Sequence, residues 1–339
     1  MARRRRRSYF TGLVTDLHDL RGQPRTIAGA GWNVSFNETA ATKTYHEGRE
    51  VVLSAPSWVA AQRALDLIRA GLTVIRSEPM PFDADEQLIA WNEEEPEVKD
   101  REAFDAQRTH GLRINSVPMA CLLAARASTR REWHYAVIKY RFSVRLYGAF
   151  VVDLDPFRSR RHLQLSRFAE DHVTFAHAIL AAYSAIEDLG LELRASRGTP
   201  SRINNGREWN PVVKKELEDR LSAAGVALTE PVLWTIRGSG TTVHKRRPVP
   251  VISPARWAGG LMVRDSHVAL VDAIAQADWF RDKIAAHGVQ RLTPSLSPYD
   301  VVNVQHVARR LIMEALGLWR RWQGASRRQP RAGRPRHSS

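Results

Sequence analysis

The sequence predicts a mainly α protein: a helical bundle with a few short strands and disordered basic tails. Three observations lead there. Apolar residues recur at alternating intervals of three and four in several long windows. Period-two apolar runs are few and short. Both ends of the chain are arginine-rich, and past Gln323 only Gly, Ser, Arg, Pro and a few other small or polar residues follow.

Taken in order, residues 1–30 read as an irregular basic segment. Trp32–Asn37 and Glu50–Ser54 read as short strands. Ser57 can cap a helix whose seam is Trp58, Ala61, Leu65, Ile68, Leu72 and Ile75, ended by Pro79. Residues 31–105 thus form a small α+β segment that closes in an acidic linker around Glu93-Glu94-Glu95-Pro96-Glu97, read as a solvated connection.

Residues 106–323 carry the helical bundle. Val117–Tyr147 reads as two consecutive helices or one bent one, and Ala149–Leu154 is a brief apolar run. A helix starting at Ser166 or Asp171 buries Phe175, Ile179, Ala182, Ile186 and Leu189, with Gly190 bending or ending it. Asn210-Pro211 opens another, closed by Gly225. Val232–Ile236 reads as a strand and Gly238–Pro248 as loop. Asp265–Trp322 reads as two long helices joined by Gly288–Leu296; the second starts at Ser297-Pro298 and keeps Val301, Val304, Ala308, Leu311, Ala315, Leu318 and Trp322 on one amphipathic face. Residues 324–339 read as a disordered tail.

A formal net charge of +15 makes nucleic acid a natural partner. Arg3–Arg7 and Arg327, Arg328, Arg331, Arg334 and Arg336 together account for ten of those charges, and solvated ends that aid solubility explain them equally well. No apolar run reaches the ~18 residues of a membrane span, and the N-terminal arginines have no apolar segment behind them. The single cysteine excludes an internal disulfide and a cysteine-rich zinc site, so a cytoplasmic location is expected. Neither a metal nor a cofactor is expected: there is no His-Glu-x-x-His, Gly-x-Ser-x-Gly or phosphate-loop spacing, and Cys121 sits in an apolar helix. Adjacent Glu187 and Asp188 point in different directions and do not form a catalytic pair.

The most suggestive chemistry is Arg281-Asp-Lys-Ile-Ala-Ala-His287. On a helical wheel Arg281 falls inside the stripe of Leu270, Val271, Ile274, Ala277, Phe280 and Ile284, where a guanidinium needs a partner or a polar cavity. With helices flanking it, this Arg-x5-His spacing resembles the HEPN superfamily. Arg167 with His172 and Arg237 with His244 are rival matches. The resemblance implies a homodimer that binds RNA or cleaves it without metal, in a bacterial defence or stress setting. In that scheme His287 moves a proton at a ribose 2′-hydroxyl and Arg281 stabilises the charged phosphorane. His306, Arg310 and Arg320, read as the polar face of the last helix, are the expected nucleic-acid contacts. The alternatives stay open: Arg281 as a structural cation paired to Asp272 or Asp278, and the chain as a noncatalytic protein-interaction module whose tails bind nucleic acid nonspecifically.

Overall fold

The computed structural model describes residues 6–16, 20–37, 48–77, 89–90, 116–147, 169–191, 193, 203–204, 208–237, 263–282, 296 and 298–328. Within them the chain is mainly α, with one antiparallel five-stranded sheet and two small two-stranded antiparallel sheets.

The sheet begins earlier than expected. In β1 (Arg7–Asp16) the side chains of Tyr9, Thr11, Leu13 and Thr15 are all buried, a period of two that the preceding arginines and Gly12 conceal. It pairs with β4 (Gly48–Ala55) and, at Tyr9 and Phe10, with β5 (Ile89–Ala90). β2 (Thr26–Gly29) and β3 (Trp32–Asn37) form a hairpin through Ala30-Gly31, where Gly31 takes φ 84°. The sheet order is β2-β3-β4-β1-β5. The expectation of an irregular residues 1–30 is therefore corrected by two strands. Apart from β5, the acidic stretch 82–105 lies outside the described residues, as do 149–154, 238–248 and 288–295.

Helix α1 (Trp58–Arg76) starts at Ser57, whose hydroxyl accepts the amide of Ala60 as the sequence indicates. Ser77 ends it in the left-handed region, φ 61°. α1 packs on α2 (Val117–Ala127), and their backbones approach closely at Gly71. A Cβ there would lie 2.8 Å from the carbonyl oxygen of Ala120. α3 (Arg131–Leu146) follows, so Val117–Tyr147 is two helices. α4 (Ala169–Glu187) lies against α3, tied to it by the Ser143 hydroxyl donating to the Ala178 carbonyl at 2.7 Å. Its anticipated seam is buried throughout.

β6 (Ile203–Asn204) and β7 (Glu208–Trp209) precede α5 (Pro211–Ala223), which Asn210 caps through the amides of Val212 and Val213. β8 (Val232–Arg237) pairs antiparallel with β9 (Val263–Val268). β9 corrects the expectation that a helix starts at Asp265; α6 spans Leu270–Phe280.

α7 (Pro298–Ala315) is the central element, contacting α3, α4, α6 and β8. It is not the amphipathic helix expected. Asp300, Asn303, Gln305, Arg310 and Glu314 are buried along with its apolar residues, because neighbours cover it on nearly every side. The structure also breaks the continuous helix expected through Trp322. Gly317 takes φ 63°, its amide bonds the Glu314 carbonyl, and the Leu318 amide bonds that of Met313. This is a Schellman ending, which an apolar seam running on through Leu318 hides in the sequence. α8 (Trp319–Arg328) then starts afresh and continues through residues 324–328, so a tail can begin no earlier than 329. One continuous apolar core runs from Tyr9 in the sheet to Leu318 behind α7.

Candidate functional site

Arg281 follows the last residue of α6 and reaches the C-terminal end of α4. There Tyr183 and Glu187, one turn apart, face it. Its guanidinium lies 3.4 Å from the Glu187 carboxylate and donates to Asp282. It also lies 5.9 Å from the Tyr183 ring centre. The Tyr183 hydroxyl donates to Asp278 at 2.7 Å. Burial alone would lower the pKa of Arg281; the hydrogen bond to Asp282 and the charges of Glu187 and Asp282 outweigh it and raise it. The side chain keeps 17% of its surface accessible.

The guanidinium is thus paired, as a cation near a core must be, but with Glu187 and Asp282 rather than Asp272 or Asp278. Asp272 instead accepts the Trp209 indole N–H at 2.6 Å. Neighbouring Asp188 turns the other way and pairs with Lys139 at 2.7 Å, in line with the divergent directions read for residues 187 and 188. His287 lies outside the described residues, as do Arg167 and His244. His172 is half-buried on α4, and burial lowers its pKa.

What this arrangement can do is limited by its charge. Arg281, Glu187, Asp278 and Asp282 together carry a formal −2, which repels a phosphate rather than inviting one. The positive charge is fixed in direction, and two of its nitrogens already face Asp282 and Glu187.

The three residues expected on an open polar face do not share one. Arg310 is 3% exposed and sits inside a network. It pairs with Glu230 at 3.0 Å and Glu314 at 2.8 Å, donates to the Ala227 carbonyl, and lies 4.0 Å from the ring centre of Trp319. Trp319 and Gln323 both donate to Glu230 at 2.7 Å. His306 is half-buried with Nδ1 3.4 Å from the Leu233 carbonyl. Arg320 is exposed on α8.

Neighbouring Arg309 is likewise spent on the fold, donating to the Val74 and Ile75 carbonyls that end α1 and lying 4.5 Å from the Trp322 ring centre. Cys121 is fully buried, and burial pushes its thiol pKa up, which suits a core residue. Among the described residues no cluster of three or more His, Cys, Asp or Glu could hold a metal ion, and no helix is long and apolar enough to cross a membrane.

Gln276 carries no signal in the sequence that would single it out. It lies in α6, completely buried, and neither its amide oxygen nor its nitrogen has a hydrogen-bond partner among the described residues. An unsatisfied buried amide opposes folding by about 1–3 kcal/mol. Gln276→Leu, close in volume, is expected to raise the urea midpoint of unfolding without changing the slope. A lowered midpoint would mean that the amide is satisfied after all.

Comparison with protein-family profiles, curated proteins and solved structures finds no match to the chain.

Proposed function

We propose that the chain is a helical, bundle-type RNA-binding protein that does no chemistry through Arg281. The observation that supports this most is how the arginines are distributed. Those at the centre of the fold, Arg281, Arg309 and Arg310, are committed to carboxylates and backbone carbonyls. Much of the surplus that produces +15 falls instead in Arg3–Arg7 and in Arg327, Arg328, Arg331, Arg334 and Arg336. A polyanion that releases its counterions on binding is the partner such a surplus favours.

Metal-independent cleavage by a homodimer, with Arg281 and His287 in a composite site, is the competing reading. What favours it is that Arg281 is held in a fixed place while still partly accessible. Incubation with labelled RNA in EDTA separates the two. Retention of RNA without cleavage, with affinity falling steeply as salt rises, is the expected result. Cleavage that disappears in both Arg281→Lys and His287→Ala, with unchanged thermal melting, would replace it with the nuclease reading. The lysine variant keeps the charge for Glu187 and Asp282, so loss of activity could not be put down to unfolding.

A further inference from the structure

Helix α3 shows two faces. Ala136, Val137, Tyr140, Ser143 and Val144 are buried against α1, α4 and α7. The opposite face consists of Arg131, His134, Tyr135, Ile138, Arg141, Phe142 and Arg145, spaced 3, 1, 3, 3, 1, 3 and confined to about a third of the helical circumference. No acidic residue lies on it. Tyr135 is 47% exposed and Phe142 54%, although rings of this size are normally covered. Arg131 lies 5.5 Å from the Tyr135 ring centre. Arg141 donates to the Asp66 carbonyl at 3.3 Å, and Arg131 and Arg145 are exposed at either end of the stripe. Around Arg141 positive charge is crowded: burial first, and then Arg145 and Arg69, lower its pKa, while Asp66 acts the other way.

We propose that this face of α3 binds single-stranded RNA, with bases stacking on Tyr135 and Phe142 and phosphates meeting Arg131 and Arg145. The inference rests on the RNA-binding reading and specifies where and in what form the RNA binds. Seven residues of helix separate the two rings by about 10 Å, which a strand of two or three unpaired nucleotides spans. Base faces in a duplex are already stacked on one another, so exposed rings select unpaired strands. A second copy of the chain fits less well, because a two-fold contact through α3 would set Arg131 and Arg145 against the same cations of its twin. Among the described residues no other surface joins exposed aromatic rings to guanidinia along one helix face.

The test is fluorescence anisotropy with the whole chain, using a labelled single strand of about 12 nucleotides and the matching duplex. The double variant Tyr135→Ala, Phe142→Ala is expected to bind the single strand at least tenfold more weakly, with the salt dependence unchanged. Arg131→Ala, Arg145→Ala should instead flatten that dependence, by about 0.7 in logarithmic slope for each phosphate no longer neutralised. Lys215→Ala, exposed on α5, serves as the control and should match the parent. These side chains lie outside the core, and melting curves confirm that the variants fold.

If single strands bind but neither α3 variant alters their affinity, the RNA-binding reading stands and the α3 site is wrong. If no nucleic acid binds at all, the reading itself falls. If the aromatic variant changes the sedimenting mass and leaves RNA affinity alone, the face is a self-association surface and the proposal is overturned.

Discussion

Arg310→Ala is expected to destabilise the protein by about 3–5 kcal/mol, the size typical of a buried ion pair that loses one partner. The loss is large because of what remains. Glu314 is itself buried, and the Ala227 carbonyl and Glu230 lose their shared donor. Chemical denaturation reads the effect directly, as a lowered midpoint at unchanged slope. Arg310→Met combined with Glu314→Leu should recover most of it, since no buried charge is then left alone. A single variant as stable as the parent would mean that the network contributes nothing. The same network predicts a pH response. Glu230 is held below the ordinary carboxylate range chiefly by the Trp319 indole N–H, then by Gln323 and Arg310, against burial. A carboxyl depressed in this way contributes stability above its unfolded value and loses it as pH falls through its folded value. Acid should therefore narrow the gap between the parent and Arg310→Ala.

Asn303→Leu should have a comparable effect by another route. Asn303 is completely buried in α7 and faces the edge of β8. Its amide oxygen accepts from the Thr235 N–H and its nitrogen donates to the Thr235 carbonyl, both at 2.8 Å. Among the described residues no strand lies along this edge of β8, and one side chain takes that place. Leucine fills the space but strips two buried backbone groups of these partners, at about 1–3 kcal/mol each. Hydrogen exchange of the Thr235 amide should quicken well beyond that of its neighbours if the account is right. Unchanged exchange and an unchanged midpoint would refute it.

Local signals carried much of the fold. Ser57, Asn210 and Gly225 mark helix ends through chemistry that operates within a few residues, and the structure uses them that way. What the chain could not disclose locally is burial on more than one side. Nothing in Asn303, Gln305, Arg310 or Glu314 distinguishes a solvated face from one whose polar atoms find partners 68 to 162 residues away. The same limit governs the candidate site. That Arg281 needs a partner is legible from its apolar surroundings. That the partners are Glu187 and Asp282 depends on α4 ending beside α6, a matter of tertiary arrangement. Tyr135 and Phe142 could have been found at once, because they repeat at seven residues on the side of α3 away from its buried seam.

The place of α7 in the chain bears on how the protein is made. The pillar on which α3, α4, α6 and β8 lean is translated after all of them. Until residues 298–315 leave the ribosome, the flanks of those elements that face α7 stay uncovered, and the carbonyls of Val74 and Ile75 wait for Arg309. Ribosome-tethered chains ending before residue 298 should therefore be digested readily by protease, and those extending past Arg328 should resist. Resistance that appears before residue 298 is synthesised would show that the sheet and the contacts among α1–α4 hold without the pillar.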